Sequence, residues 1–441
     1  MSNSLFFLSH FQFSIFNYKT MRILHINKSD ATGGASVAAT RLVESLNRSG
    51  VEAKMLVADK KTNLPCVETI TSSRYNKIRA QLYHKSEVYR FIPHGKSNTL
   101  QHSYSIGKYG FDISKHPAVE EADIIHLHWF GEGFISLKGL GKILKSGKPV
   151  VWTLHNMWSF TGGCHYAGEC RRFTENCGFC KYLMDSSHDD ISFAQHDRKK
   201  LLYSNSQLFP VACSNWLAQT ATQSTLLQEK HVISIPNPID IDLFKTVNRI
   251  EARERLNLPK DKKLILFGAA DVSDPRKGMP HLFFALKLLA KRKYKDNMEL
   301  IVFGKAPETL ANELPFPVRI MNYISSPEVL VDLYNAADVF VLPSLEDNLP
   351  NTVMEALSCG LPVAAFRVGG VPEMITHGYS GYLTPPGDGT GLAEGIEYLL
   401  EKSEPRNCRA IAREKVEASF APNLIAERYI LLYNEILERI R

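Results

Sequence analysis

Two series of short apolar strands alternating with helices, parted by Pro236-Asn237-Pro238, constrain this chain most. Strand-helix alternation builds parallel sheets covered on both faces, and such strands are apolar along their whole length. The first series reads Arg22–Ile26 as a strand, Ala35–Leu46 as a helix and Val51–Val57 as a strand. It continues with strands at Ala122–His128, Pro149–Leu154 and Phe209–Cys213. Two prolines about Asn237 suit neither a helix nor a central strand, so residues there read as a connector. The second series reads strands at Lys263–Gly268, Glu299–Gly304, Val318–Ile324, Val339–Leu342 and Pro362–Phe366. A capping box is expected at Ser325-Ser-Pro-Glu328, and a last helix at Asn423–Ile440 with one apolar stripe. The expected fold class is α/β, with two doubly wound domains facing each other. Ligands of such sheets lie beyond the carboxyl ends of the strands, so a cleft between two of them suits a nucleotide.

The expected domains are 21–235, 236–420 and a C-terminal helix at 421–441 that packs back across both. Residues 1–20 are aromatic but lack a helical stripe, and read as an extension ahead of a start at Met21. With 44% hydrophobic and 22% charged residues in 441, the composition is globular. The formal charge of +6 favours phosphates or an anionic membrane face and is too small to argue for nucleic acid. No apolar run reaches the ~20 residues of a membrane span. Eight cysteines and no basic leader point to a cytoplasmic chain. Four of them, Cys164, Cys170, Cys177 and Cys180, sit in a loop at 161–182 that closes in C-x-x-C. That set is expected to hold a structural zinc ion through four thiolates.

The segment Leu342–Val363 carries the most chemistry. A strand ends at Leu342, an acidic loop follows, and a helix runs from near Asn351 to Gly360. The N–H groups of Asn351, Thr352 and Val353 at its positive end can hold phosphate oxygens. Glu355, one turn in, can accept two hydrogen bonds from a ribose diol, and Asp347 or Glu346 on the loop can meet sugar hydroxyls. Equally, these carboxylates could serve only the helix end. Lys277, after a strand and its loop, can reach a diphosphate, with Arg276 beside it. His155 stands at the carboxyl end of the strand Pro149–Leu154, while His126 and His128 read as packing or pocket-lining residues. Asp240-Ile241-Asp242 mimics a metal-binding D-x-D but follows the proline connector, and reads as hinge and helix-cap chemistry.

These segments, in order, resemble the retaining GT-B glycosyltransferases of family 4 (group 1). Asp347 and Glu355 match its two spaced glutamates, the first as Asp, and Cys359-Gly-Leu-Pro-Val363 matches the turn that follows. Gly33-Gly34 looks like the glycine-rich first loop, Pro236–Pro238 like the hinge, and Asp274–Gly278 like the phosphate-clamping segment. Gly369-Gly370-Val371-Pro372-Glu373 looks like the donor-side glycine loop. Gly268 is followed by Ala269 where the family has Arg, which leaves Arg276 as the candidate substitute.

The resemblance implies two Rossmann-like domains and sugar transfer, with retention, from a nucleoside-diphosphate sugar to a glycan or lipid-linked acceptor. The setting would be polysaccharide or lipopolysaccharide assembly, with peripheral contact at the inner membrane face. The catalytic residues are then His155, Lys277 and Asp347. The donor contacts are Gly33, Gly34, Arg276, Lys277, Glu346, Asn351, Thr352, Val353, Glu355 and Gly370. Lys277 and helix N–H groups would carry the leaving charge without a catalytic cofactor or metal. The competing readings are a zinc-ribbon protein that binds nucleotides or nucleic acid, an inverting GT-B transferase, and a sugar-nucleotide epimerase.

Overall fold

The computed structural model describes residues 21–97, 103–402 and 407–440, so the extension at 1–20 lies outside the described residues. The first sheet holds β1 (Arg22–Ser29), β2 (Glu52–Asp59), β3 (Val67–Thr69), β4 (Ile124–Leu127), β5 (Val150–Leu154), β6 (Leu208–Ala212) and β7 (Ile233–Ser234). Their spatial order is β3-β2-β1-β4-β5-β6-β7, all parallel. The second sheet holds β8 (Lys263–Asp271), β9 (Met298–Lys305), β10 (Val318–Ile320), β11 (Val339–Leu342), β12 (Val363–Phe366) and β13 (Gly381–Thr384). Its order, β10-β9-β8-β11-β12-β13, repeats the same plan in parallel. The order reverses between β1 and β4 and between β8 and β11, where doubly wound sheets open their binding crevices. The fold is therefore α/β, with two Rossmann-like domains in the GT-B arrangement.

Strand apolarity accounts for this geometry. All four residues of β4, β11 and β12 are buried, as strands sandwiched between helical layers must be. The strands β3 and β7, of three and two residues, are too short for a period to register. The helix Arg74–Phe91 also escaped the sequence pattern, because its apolar Tyr75, Ile78, Leu82 and Tyr89 face outward. At the helix Pro327–Ala336 the cap is Ser326 rather than Ser325, since Pro327 takes the first helical position. Glu328 accepts a hydrogen bond from the Ser326 hydroxyl at 2.6 Å instead of closing a box.

The last helix, Pro422–Ile440, leaves the second domain and buries Ile425, Tyr429, Tyr433 and Ile436 in the core of the first. Chain therefore crosses between domains twice, near Ile239 and near Phe420. There the Ile239 N–H donates to the Phe420 carbonyl at 3.0 Å. Asp240 accepts from the N–H groups of Asp242 and Leu243, which is cap chemistry.

Candidate active site

Between the two domains lies a cleft of about 820 Å³, lined by Tyr166 and Trp216 from one side and Arg276, Glu346, Asp347 and Gly369 from the other. Two glycines hold its C-terminal wall together. Gly278 (φ +67°) and Gly369 (φ +50°) adopt left-handed backbone, and a Cβ on either would collide with the carbonyl of Pro343 or Asp347. The Lys277 turn and the glycine loop thus close onto the acidic loop.

Within that wall, Lys277 Nζ donates to Asp347 Oδ2 at 2.7 Å. Arg276 is committed locally, forking onto Asp274 with Nε 3.1 Å from Oδ1 and Nη2 2.5 Å from Oδ2. Burial pushes the Glu346 carboxyl above its usual range, against the pull of Lys181 and Arg276. Lys181 belongs to the Cys-rich loop of the opposite domain, and the sequence carried no sign of that approach.

Glu355 is buried with both oxygens taken: Oε1 accepts from Arg41 at 2.7 Å and Oε2 from the Tyr334 hydroxyl at 2.9 Å. Arg41 lies on the helix Gly34–Arg48 of the other domain, and its guanidinium also sits 5.1 Å from the Phe244 ring. The helix Asn351–Ser358 has no side-chain cap at its N-terminus. The Val353 N–H turns back to the Pro350 carbonyl at 3.1 Å. Asn351 donates its side-chain amide to the Gly34 carbonyl at 3.0 Å, so the acidic segment and the glycine-rich first loop meet across the gap. Gly33 caps the helix behind Gly34 at φ +88°.

Further contacts hold the domains together. Asn348 donates to the His155 carbonyl at 3.3 Å and to Cys213 Sγ at 2.9 Å, and its Oδ1 accepts from the Ser214 hydroxyl. Gly370 donates to the Asn348 carbonyl. Glu373 crosses the cleft and accepts from the N–H groups of Asn215 and Trp216 at 2.9 and 2.8 Å. A carboxylate on those first-turn donors completes the helix Asn215–Thr222. Replacing it, Glu373→Ala, is expected to lower stability by about 1–2 kcal/mol. Chemical denaturation should read that loss, and an unchanged midpoint would mean water serves those donors equally well.

His155 is half-buried just past β5, and burial lowers its imidazole to about 4. Its Nε2 lies 3.1 Å from Nδ1 of His128. The structure thus brings His155 to the Asn348 edge of the acidic loop, Lys277 onto Asp347, and Glu355 onto Arg41. Arg41, Tyr334, Asn348 and Glu373 were not marked as contacts by the sequence, since each acts through a partner more than a hundred residues away or through a buried hydroxyl.

The four loop cysteines line one small cavity, with Cys177 Sγ accepting the Gly162 N–H at 3.2 Å. Burial raises the Cys164 and Cys177 thiols to about 12. The buried Lys199 ammonium lies over the Trp158 ring, bonded to the carbonyls of Trp158 and Thr161. Among the described residues, the group of three metal-type ligand atoms found within 4.8 Å of one another is His25, His126 and His128, not these sulfurs. The expected tetrahedral zinc site needs sulfurs converging on one point. A zinc ion held by these four thiols is thus an expectation that the structure does not show.

Comparison with known proteins separates the two halves. Residues 32–243 match the family described as Glycosyltransferase Family 4, and residues 261–402 match Glycosyl transferases group 1. The chain is 26% identical to N-acetyl-alpha-D-glucosaminyl L-malate synthase of Bacillus anthracis, over 49% of this chain and 59% of that protein. It is 25% identical to D-inositol 3-phosphate glycosyltransferase of Thermobispora bispora, over 72% of each. The chain thus spans less than two thirds of the first of these relatives. Among solved structures, Anabaena HepE in complex with UDP superposes with a TM-score of 0.62 at 18% identity, covering 94% of this chain and 100% of that one. The lipopolysaccharide-biosynthesis glycosyltransferase WaaG gives 0.58 at 15%, covering 92% and 98%. The chain thus carries a Glycosyltransferase Family 4 domain followed by a Glycosyl transferases group 1 domain, on two parallel sheets in the GT-B arrangement.

Proposed function

We propose that the chain transfers a sugar, with retention of configuration, from a nucleoside-diphosphate sugar to a hydroxyl of a glycan or lipid-linked acceptor. The Lys277–Asp347 pair on the cleft wall carries this reading. In this reading the ammonium meets the leaving diphosphate and the carboxylate the sugar hydroxyls, each neutralising the other until the donor separates them. Arg41 Nη1 and Asn351 Oδ1 are buried polar atoms without a partner among the described residues, and a nucleotide's hydroxyls and phosphates would satisfy them. His155 then positions reacting groups, and the departing phosphate takes the acceptor's proton.

Relatives point to the acceptor class. A Campylobacter jejuni transferase acting on a diphospho-undecaprenol carrier is 29% identical over 27% of this chain, and a Staphylococcus aureus capsular polysaccharide glycosyltransferase is 25% identical over 52%. No helix among the described residues is long and apolar enough to cross a membrane. The exposed face of Arg74–Phe91 combines Tyr75, Ile78, Leu82 and Tyr89 with Arg74, Lys77, Lys85 and Arg90, which fits an anionic lipid surface beside such an acceptor.

A panel of nucleotide sugars screened by thermal shift should yield one that raises the melting temperature, because a ligand bound only by the folded form stabilises it. With that donor, NMR of the product should give the anomer of the donor. An inverted anomer would overturn retention, and stabilisation by no nucleotide sugar would overturn the donor site.

A further inference from the structure

Behind His155 runs a line of imidazoles on the face of the first sheet covered by the C-terminal helix. His25 on β1 lies beside His126 on β4 in register, and His128 follows just past β4. His25 Nδ1 is 2.9 Å from His128 Nε2, and His128 Nδ1 is 3.1 Å from His155 Nε2. His126 stands out of this line, since Tyr433 and Thr153 hold its two nitrogens at 2.6 and 2.7 Å. Although His25, His126 and His128 could approach one ion, every ring nitrogen among them except His25 Nε2 is already in a hydrogen bond. The cluster therefore works as a hydrogen-bonded row.

Burial lowers His25 to about 3 and drives His126 and His128 well below the usual histidine range, so the rings are neutral at pH 7. A neutral imidazole carries one N–H. Each link joins an Nδ1 to an Nε2, so only two proton arrangements satisfy both links. Either all three rings carry the proton on Nδ1, or all three carry it on Nε2. The first leaves a bare lone pair on His25 Nε2. The second buries an N–H there with no acceptor, and an orphaned buried N–H is the rarer defect in folded proteins.

We propose that His25 and His128 are positioning residues that hold His155 as the Nδ1–H tautomer, a hydrogen-bond donor aimed at a sugar or phosphate oxygen. In that state His155 has no lone pair left to take a proton from an acceptor hydroxyl, because its Nε2 already accepts from His128. What His155 meets rests on the transferase reading, but its tautomer belongs to the unliganded chain and is measured there.

The test is long-range proton–nitrogen NMR on the full chain labelled with ¹⁵N-histidine at pH 7, with resonances assigned through His155→Asn and His25→Asn. All three rings should show a protonated Nδ1 and a bare Nε2. In His128→Leu, which cuts the row, His155 should shift its proton to Nε2 in whole or part. His25→Asn keeps an N–H donor near the same place and should leave His155 on Nδ1. A His155 protonated on Nε2 in the unaltered protein overturns the proposal. So does one that stays on Nδ1 in a folded His128→Leu variant. Should that variant fail to fold, the unaltered protein's spectrum alone decides, and a nucleotide-sugar screen that failed would leave this result standing.

Discussion

Acidification from pH 6.5 to 4.5 is expected to destabilise the N-terminal domain strongly. His25, His126 and His128 are buried, and burial holds each below its unfolded value of 6.5, His25 at about 3. Between those values the unfolded chain binds more protons than the folded one, so stability rises with pH. The contribution is fully present above about pH 6.5 and is lost as pH falls toward the folded values. Each neutral ring accounts for about 1.4 kcal/mol per pH unit, and the three together for about 4. Over the two pH units this comes to about 7 kcal/mol, close to half or more of the roughly 5–15 kcal/mol that stabilises a domain. Amide exchange localised to β1, β4 and β5 should accelerate in this window. Protection unchanged at pH 4.5 would mean the imidazoles find solvent or a counter-charge on acidification.

Lys277→Ala should lower turnover by about 10²–10³, or 2.7–4 kcal/mol, if its ammonium meets charge that grows only as the diphosphate leaves. Donor KM should change far less, because in the proposed site the nucleotide is gripped elsewhere on the same domain. The substitution also unpairs Asp347, so Lys277→Ala/Asp347→Asn serves as the control that removes both charges. If the single variant turns over at the unaltered rate, the pair is only a structural bridge. If the double variant recovers fully, the loss came from the stranded carboxylate and not from the missing ammonium.

The two-domain plan was readable because fully buried parallel strands leave continuous apolar runs, as in Ile124–Leu127 and Val363–Phe366. The acidic segment was readable because its helix start, carboxylates and turn lie within one stretch of chain. What escaped was pairing across the cleft. Nothing near Arg41 announces Glu355, 314 positions away, and nothing near Asn215 announces Glu373. His25 and His128 were read as packing or passed over, because a lone histidine in an apolar strand shows no partner until register places strands side by side. The cysteine loop's spacing suggests a ligand set, but spacing alone does not place sulfurs; Cys164, Cys170, Cys177 and Cys180 share one small cavity, and a zinc site is not shown.

The hydrogen bond between Ile239 and Phe420 ties the outgoing and returning chain into a double-stranded axle. Two separate tethers would let the halves twist and slide, whereas one bonded pair leaves rotation about its own line as the easy motion. Any closing motion about that line would return the rims along the same arc and bring Asn351 to Gly34 and Asn348 to Ser214. Alignment at the cleft then depends in part on the stiffness of this joint at Ile239 and Phe420.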